Sequence, residues 1–487
     1  MKNLRADIYI ILLLLIIAAS IAALLYGSVA VIFAVTIGYL SYEIAVSSLF
    51  FTLTAFGIRK LRREKQSPRT NISTTRKPFA SIVIAAFNES KCIGDTLQSL
   101  FAQRFIGQQI IIASDGSDDG MNELLIKNFD LRNDSENRSL WTNDFKSNDG
   151  EIIKLELLTL TRAGKGAALN AGLARAEAEI VVTLDADTRL ETDAIDELAK
   201  AFENPKVVAV GGFIYVRDAG NGSWIARYQY VEFLRNFLWR IGLTNFKVCL
   251  QVSGAFGAFQ TKVLREIGAF DEDSLVEDYE IIYRVHEFMR KAGREYEVAI
   301  AVKAVAYTDS PQTAMAFVRQ RTRWFAGFLQ TLFAYRRMIF APRFGKIGWL
   351  MLPIKTVDAI LPIWGFASLV ILLVVVAFGR GSLPLWAAML FLSKYLFDVI
   401  LISLILRWHR KLFPTRRLEL SVPQMIFCVL TEGLLFNQFR QIAVLNAYSQ
   451  SVRRIKKQNR WLTNRERMSL PSAVGLTNEA GEDQAAQ

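Results

Sequence analysis

Cysteine and histidine are the scarcest chemistry in this 487-residue chain. Its three cysteines, Cys92, Cys249 and Cys428, stand far apart and form no CxxC pair. That excludes a disulfide-framed fold and points to a reducing compartment. The two histidines, His286 and His409, are also far apart, so a histidine-based metal site or a Ser-His-Asp triad has little to draw on. Zinc-finger spacing, basic heptads and RNA-binding aromatic signatures are missing too. A nucleic-acid partner is therefore not expected, despite a formal net charge of +12. Internal repeats are absent.

Apolar residues are abundant, at 52% of the chain, and they cluster in charge-poor runs near both ends. Mixed sequence lies between, the pattern of a membrane protein carrying a soluble domain. The first runs are Ile8 to Tyr26 and Val29 to Ile58, parted by Gly27-Ser28, which suggests a tight hairpin. A cleaved leader is disfavoured because a second long run follows at once. Arg59, Lys60, Arg62, Arg63 and Lys65 come next, and by the positive-inside rule that end is cytoplasmic. Apolar runs return at 347–378, 385–406 and 422–436. Arg407, His409, Arg410, Lys411, Arg416 and Arg417 follow the second of these, another cytoplasmic flank. Three full spans would put the basic residues 453–457 outside. One segment is therefore expected to be interfacial, re-entrant or broken. Five regions result: a transmembrane hairpin (1–58), a basic linker (59–78), a cytoplasmic domain (79–337), transmembrane or interfacial helices (338–446), and a basic, then disordered, tail (447–487).

The middle region alternates strand and helix patterns. ASIVIAAF (80–87), QIIIAS (109–114), IIKLELLTL (152–160), EIVVTL (179–184) and VVAVGGFIYV (207–216) read as strands. The polar stretch Asn128 to Gly150 reads as an exposed loop. This rhythm predicts a mostly parallel sheet with helices on both faces and a site at the carboxyl ends of its strands. The stretch 223–243 mixes aromatics with Arg at helical spacing; it fits a helix flat on the membrane surface and a buried amphipathic helix almost equally.

Several short elements carry chemistry. Asp185 and Asp187 close a buried strand two positions apart, so both carboxylates can face one ligand; hard oxygens there suit Mg²⁺ or Mn²⁺ on a diphosphate. A solvated turn gives the same pattern. Ser114-Asp115-Gly116-Ser117-Asp118-Asp119 also follows a strand, where acids can bond a ribose or a base or merely cap a turn. Gly164-Lys165-Gly166 opens a helix and suits phosphate through charge and helix N-terminal amides. It is not a Walker A loop, because Thr159 stands where the first glycine is needed. Glu277 and Asp278 open another helix, either as dipole partners or as a general base for an acceptor hydroxyl. Gln320-Arg321-Thr322-Arg323-Trp324 lies late in a predicted helix. Arg suits a diphosphate and Trp a sugar face, though both also anchor membrane interfaces.

In their order, these elements resemble glycosyltransferase family 2, in its membrane-bound branch of cellulose, hyaluronan and poly-N-acetylglucosamine synthases. The resemblance runs from Ser81 to Trp324, through AAFNE (85–89), SDGSDD (114–119), GKGAALNAG (164–172), DAD (185–187), SGAFGAF (253–259), VED (276–278) and QRTRW (320–324). It implies an α/β, Rossmann-like GT-A fold set between membrane helices. It implies Asn88, Glu89, Asp115, Lys165, Asp185, Gln320 and Arg323 on the nucleotide-sugar donor, and Asp185 and Asp187 on Mg²⁺ or Mn²⁺. Ser253, Gly254 and Trp324 would meet the acceptor, and Asp278, beside Glu277, would be the catalytic base. One inverting displacement would then give a β-linked product. Three positions depart from the family pattern: Ser114 for a first Asp, Val276 for Thr, and Ala86 in a motif that often carries proline nearby.

The resemblance implies a processive synthase that draws UDP-N-acetylglucosamine or UDP-glucose and passes a polysaccharide across a bacterial inner membrane, with its catalytic domain in the cytoplasm. Membrane lipids and an export protein would be its partners. Trp364, Asn437, Gln438 and Arg440 are the candidates to face a polymer path. Two alternatives stand beside it: single-sugar transfer to a lipid-linked acceptor, and a non-catalytic sugar-nucleotide-binding scaffold.

Overall fold

The computed structural model describes residues 7–12, 14, 15, 18, 19, 22, 29–66, 80–103, 108–146, 152–362, 365 and 385–455. The expected turn at Gly27-Ser28, most of the linker, Trp364 and the tail beyond 455 lie outside the described residues.

Ten strands form one sheet in the order β3-β4-β5-β2-β1-β6-β9-β8-β10-β7. Its centre is parallel: β2 (Gln108–Asp115) pairs with β1 (Ala80–Ala86) and β5 (Ile152–Leu160), and β1 pairs with β6 (Ile180–Asp185). These strands are Val/Ile/Leu runs covered on both faces, which is how parallel strands read in sequence. Their register aligns Ala86 with Ser114, Asp115 with Leu160, and Ala85 with Asp185. The carboxyl ends of four strands therefore converge at one edge.

The expectation of a mostly parallel sheet is corrected to a mixed one. Strand β9 (Phe256–Gln260) enters antiparallel between β6 and β8 (Val207–Val216), while β8 runs parallel to β10 (Glu297–Thr308). The short β7 (Arg189–Leu190) closes that side antiparallel to β10. At the other side the expected loop at 128–150 is in part strand: β3 (Arg132–Asn133) and β4 (Leu140–Lys146) extend the sheet antiparallel from β5. An edge strand with one half-exposed face needs few apolar residues, so its polar sequence concealed it.

Helices cover both faces. The helix Trp224–Asn245 is capped by Ser223, whose Oγ accepts from Ala226 N at 3.3 Å. It packs against the sheet and is buried along most of its length, so the flat-on-the-membrane alternative falls. The helix Glu277–Lys291 carries acids in its first turn and Arg290 and Lys291 in its last, matching the helix dipole at both ends. The helix Ala314–Ala334 places the QRTRW motif near its middle rather than late.

The second apolar run continues unbroken through the basic cluster as the helix Val29–Gln66. Within it Ile37–Arg63 is, among the described residues, the one stretch long and apolar enough to cross a membrane. This helix crosses the 224–245 helix backbone to backbone. A Cβ on Gly242 would lie 2.5 Å from Thr54 N, and one on Gly57 would lie 3.0 Å from Ile241 O. Later come the helices Leu385–Leu412, Val422–Glu432 and Phe436–Ile455. The first exposes Met389, Leu392, Leu396 and Ile400 along one stripe. The second has 11 residues, about 16 Å at helical rise, and a bilayer core of about 30 Å is too thick for it to span.

Candidate active site

A cavity of about 1030 Å³ opens where the strand ends converge. It runs from Phe87 and Asp115 past Asp185, Asp187 and Asp278 to Trp324, and onward to Lys355, Asp358 and Arg440. Of the residues singled out from sequence, Glu89, Asp115, Lys165, Asp185, Asp187, Ser253, Gly254, Glu277, Asp278, Gln320, Arg323 and Trp324 all line it.

Asn88 does not. Its Nδ2 donates to Asp118 Oδ1 at 2.8 Å and its Oδ1 accepts from Asp118 N at 3.0 Å, which ties the loop after β1 to the loop after β2. Its φ of 58° is left-handed, a region asparagine tolerates better than most residues. Asn88 is thus a loop brace. Asp115 faces the cavity, but its carboxylate already accepts from Ala163 N at 2.7 Å and Gly164 N at 2.9 Å. The first acidic motif thereby fixes the glycine-lysine loop.

Lys165 holds the centre together. Its Nζ lies 2.7 Å from Asp185 Oδ1 and 2.9 Å from Glu277 Oε1, joining the ends of β6 and of the loop before the 277–291 helix. Burial works against its charge, but Asp185, Glu277 and Asp278 outweigh burial and hold its pKa above the usual lysine range. Asp278 Oδ2 accepts from Gly254 N at 2.7 Å. Its carboxyl is pushed up to about 6 by burial and by Glu277, with Lys165 pulling the other way. Such a group is ionised at neutral pH yet basic enough to take a proton.

Asp187 is pushed further, to about 7, by burial and by the negative charges of Asp185, Glu89 and Asp309. Thr188 and Thr308 hydroxyls each stand 3.3 Å from its Oδ1. This excess of negative charge fits a divalent cation, and carboxylates are the donors Mg²⁺ and Mn²⁺ prefer. Among the described residues no group of three or more His, Cys, Asp or Glu side chains could hold a metal alone. A cation at Asp185 and Asp187 would take further oxygens from a bound diphosphate.

Trp324 is braced by a residue of its own helix. Arg321 sits 4.4 Å from the centre of the Trp324 ring and 2.6 Å from Glu232 Oε2. Among the described residues, Gln320 Oε1, Gln229 Nε2 and Arg240 Nη1 are buried without a hydrogen-bond partner, in residues that line the cavity. Planar polar groups on a cavity wall that also carries an indole suit sugar hydroxyls. Sequence reasoning missed Gln229 and Arg240, although both fall in the 223–243 stretch it noticed. It also missed Asp309, an acid just beyond β10, where the strand-end logic that found Asp185 applies once β10 is known.

Known proteins resemble this chain in sequence and in fold. Residues 180–430 match the model of glycosyl transferase family group 2, and residues 81–268 match that of glycosyl transferase family 2. A poly-beta-1,6-N-acetyl-D-glucosamine synthase of Staphylococcus epidermidis is 29% identical over 255 residues, 51% of this chain and 54% of that protein. One from Staphylococcus aureus strain COL is 26% identical over 296 residues, 59% and 63% of the respective chains. The chain thus spans little more than half the length of these curated relatives. A mannosyltransferase of Pyrobaculum calidifontis, solved with GDP-Man and Mn²⁺, superposes with a TM-score of 0.52 at 18% identity, over 85% of this chain and 99% of that one. That likeness is one of fold.

Proposed function

Because this chain belongs to glycosyl transferase family 2, we propose that it is a membrane-associated, inverting synthase that extends a β-linked polysaccharide from a UDP-sugar. Similarity to synthases of poly-beta-1,6-N-acetyl-D-glucosamine supports UDP-N-acetylglucosamine over UDP-glucose as the donor here. The observation that carries this reading is one continuous cavity with Asp278 and Trp324 on its wall and Lys165 pinning Asp185 to Glu277.

In this reading the acceptor sugar stacks on Trp324 and presents a hydroxyl to Asp278. Asp278 takes the hydroxyl proton as the acceptor oxygen bonds to the anomeric carbon of the donor. The bond from that carbon to the diphosphate breaks, and the nucleoside diphosphate leaves. Arg323, on the cavity wall, would face the leaving group. Lys165 keeps Asp185 oriented and offsets the negative charge around it. A divalent cation at Asp185 and Asp187 would supply charge neutralisation for the diphosphate. The Ile37–Arg63 stretch would hold the catalytic domain at the membrane, on the cytoplasmic side by its basic flank. Beyond Trp324 the cavity continues to Arg440, which supports a path for a growing chain.

The test is nucleotide release by the purified full chain in nanodiscs, with UDP-N-acetylglucosamine and UDP-glucose and with Mg²⁺ or Mn²⁺, followed by sizing of the product. A long, glycosidase-sensitive polymer is expected. A product carrying one added sugar on lipid would replace the synthase with a lipid-acceptor transferase, and no release from any donor would remove the catalytic reading.

A further inference from the structure

The basic cluster after the 385–412 helix divides in two. Arg410, Lys411 and Arg417 are exposed, as residues that only set membrane topology should be. Arg416 is turned inward, with its side chain 16% exposed. Its guanidinium lies 5.1 Å from the ring centre of Tyr215 and 5.9 Å from that of Tyr307, and 2.6 Å separates Nη1 from the Tyr307 hydroxyl. Its Nη2 meets Glu191 Oε2 at 2.5 Å, while the Tyr307 hydroxyl donates to Glu191 Oε1 at 2.9 Å. Arg416, Tyr307 and Glu191 thus form a closed triangle. Nearby, His409 is wholly buried, with Nε2 at 2.7 Å from the Tyr215 hydroxyl.

Two corners of the triangle lead to the acids. Glu191 follows β7, which follows Asp185-Ala186-Asp187, and its amide donates to Val305 O at 3.0 Å. Tyr307 pairs with Arg189 in the β7–β10 ladder. The next residue is Thr308, whose hydroxyl stands 3.3 Å from Asp187 Oδ1, and then comes Asp309, on the cavity wall. Arg416 is the contact through which the segment leaving the 385–412 helix grips both strands that frame Asp187.

We propose that Arg416 is a positioning residue for Asp187, acting through Tyr307 and Glu191, so that the diphosphate side of the site is set by where the 385–412 helix sits. The inference rests on the reading of Asp187 given above. A fork-shaped guanidinium is required, because two acceptors on different strands must be held at once, and a lysine ammonium cannot reproduce that planar pair. The exposed Arg417 loses the same charge on substitution but touches none of this.

The experiment compares the full chain in nanodiscs with Arg416→Gln, Arg416→Lys, Tyr307→Phe and, as control, Arg417→Gln. Two readouts are taken: hydrogen exchange by mass spectrometry, and the Mn²⁺ and donor concentrations giving half-maximal nucleotide release. The three test variants should exchange faster at 185–191 and 305–309 but not at 80–86 or 108–115. Their half-maximal Mn²⁺ concentration should rise on the order of 10-fold, as outer-shell losses at metal sites do, with kcat at saturation within about twofold. Arg417→Gln should match the wild type in both. Unchanged exchange and Mn²⁺ dependence in Arg416→Gln would overturn the proposal, and so would faster exchange spread evenly over the sheet, which marks a general staple. If the wild type releases no nucleotide, the synthase reading fails, while the exchange pattern still decides whether Arg416 holds the strands around Asp187.

Discussion

The amide of Gly254 donates to Asp278 Oδ2 at 2.7 Å, and a Cβ built on Gly254 would stand 3.0 Å from Asp278 Cβ and 3.1 Å from its Cγ. The glycine therefore both orients the proposed base and leaves room for it. Gly254→Ala should push the carboxylate out of line with the acceptor. A displacement of that kind costs roughly 100-fold in kcat, and nucleotide release should show it with the melting temperature little changed. Wild-type turnover in this variant would mean that Asp278 need not sit where it does.

Asp278→Asn separates activity from stability. Turnover should fall about 10²–10⁴-fold, the usual contribution of a positioned base. The fold should gain. The folded-state pKa of Asp278, about 6, lies above its ordinary 3.8, so the native state binds the proton more tightly than the unfolded state. The cost of the buried charge is then fully present above about pH 6 and absent below 3.8. The variant should be more stable than wild type at pH 8, on the order of 1–3 kcal/mol, and the gain should vanish near pH 3.5. Melting curves across that range check the sign.

Lys165→Met removes the cation that holds the Asp278 pKa down. The acid limb of the kcat profile, where the base becomes protonated, should move to higher pH. At pH 7 the variant loses activity that partly returns at pH 8.5. A pH profile that merely drops without moving would assign Lys165 to donor binding alone.

Arg321→Gln tests the brace behind Trp324. Loss of the contact to the indole and of the ion pair with Glu232 should raise the acceptor KM several-fold and leave the donor KM in place, because among the described residues Arg321 pairs with Glu232 and not with Asp185, Asp187, Glu277 or Asp278. A cation–π contact of this kind is worth about 1–2 kcal/mol when desolvated. Steady-state kinetics with a short oligosaccharide acceptor, and the tryptophan emission maximum, report it.

The sequence made the site legible wherever chemistry sits at the end of a buried strand. Asp185, Asp115 and the Gly164 loop each follow an apolar run whose burial places its last residue at the sheet edge. Strand direction was not legible, because an apolar run such as FGAFQ carries no arrow; β9 and β7 turned an expected parallel sheet into a mixed one. Strand β4 escaped because a strand next to the sheet's edge, only partly buried, can be polar. Arg416 escaped for another reason: its place beside an apolar helix already had a sufficient explanation in membrane topology, and only three-dimensional contacts with Tyr307 and Glu191 distinguish it from Arg417.

The glycine crossing of the 29–66 and 224–245 helices fixes a distance. With the Thr54 and Ile241 backbones against Gly242 and Gly57, the two helices meet at the main chain itself, and beside that contact Phe50 and Trp239 pack with ring centres 5.5 Å apart. Such a seam leaves the two helices little room to slide or roll past each other. If the chain extends a polymer as proposed, this seam predicts that the polymer slides along a wall fixed to the 29–66 helix and is not carried by a head that rocks toward the membrane and back. A chemical cross-link joining these two helices should accordingly leave the rate of nucleotide release unchanged.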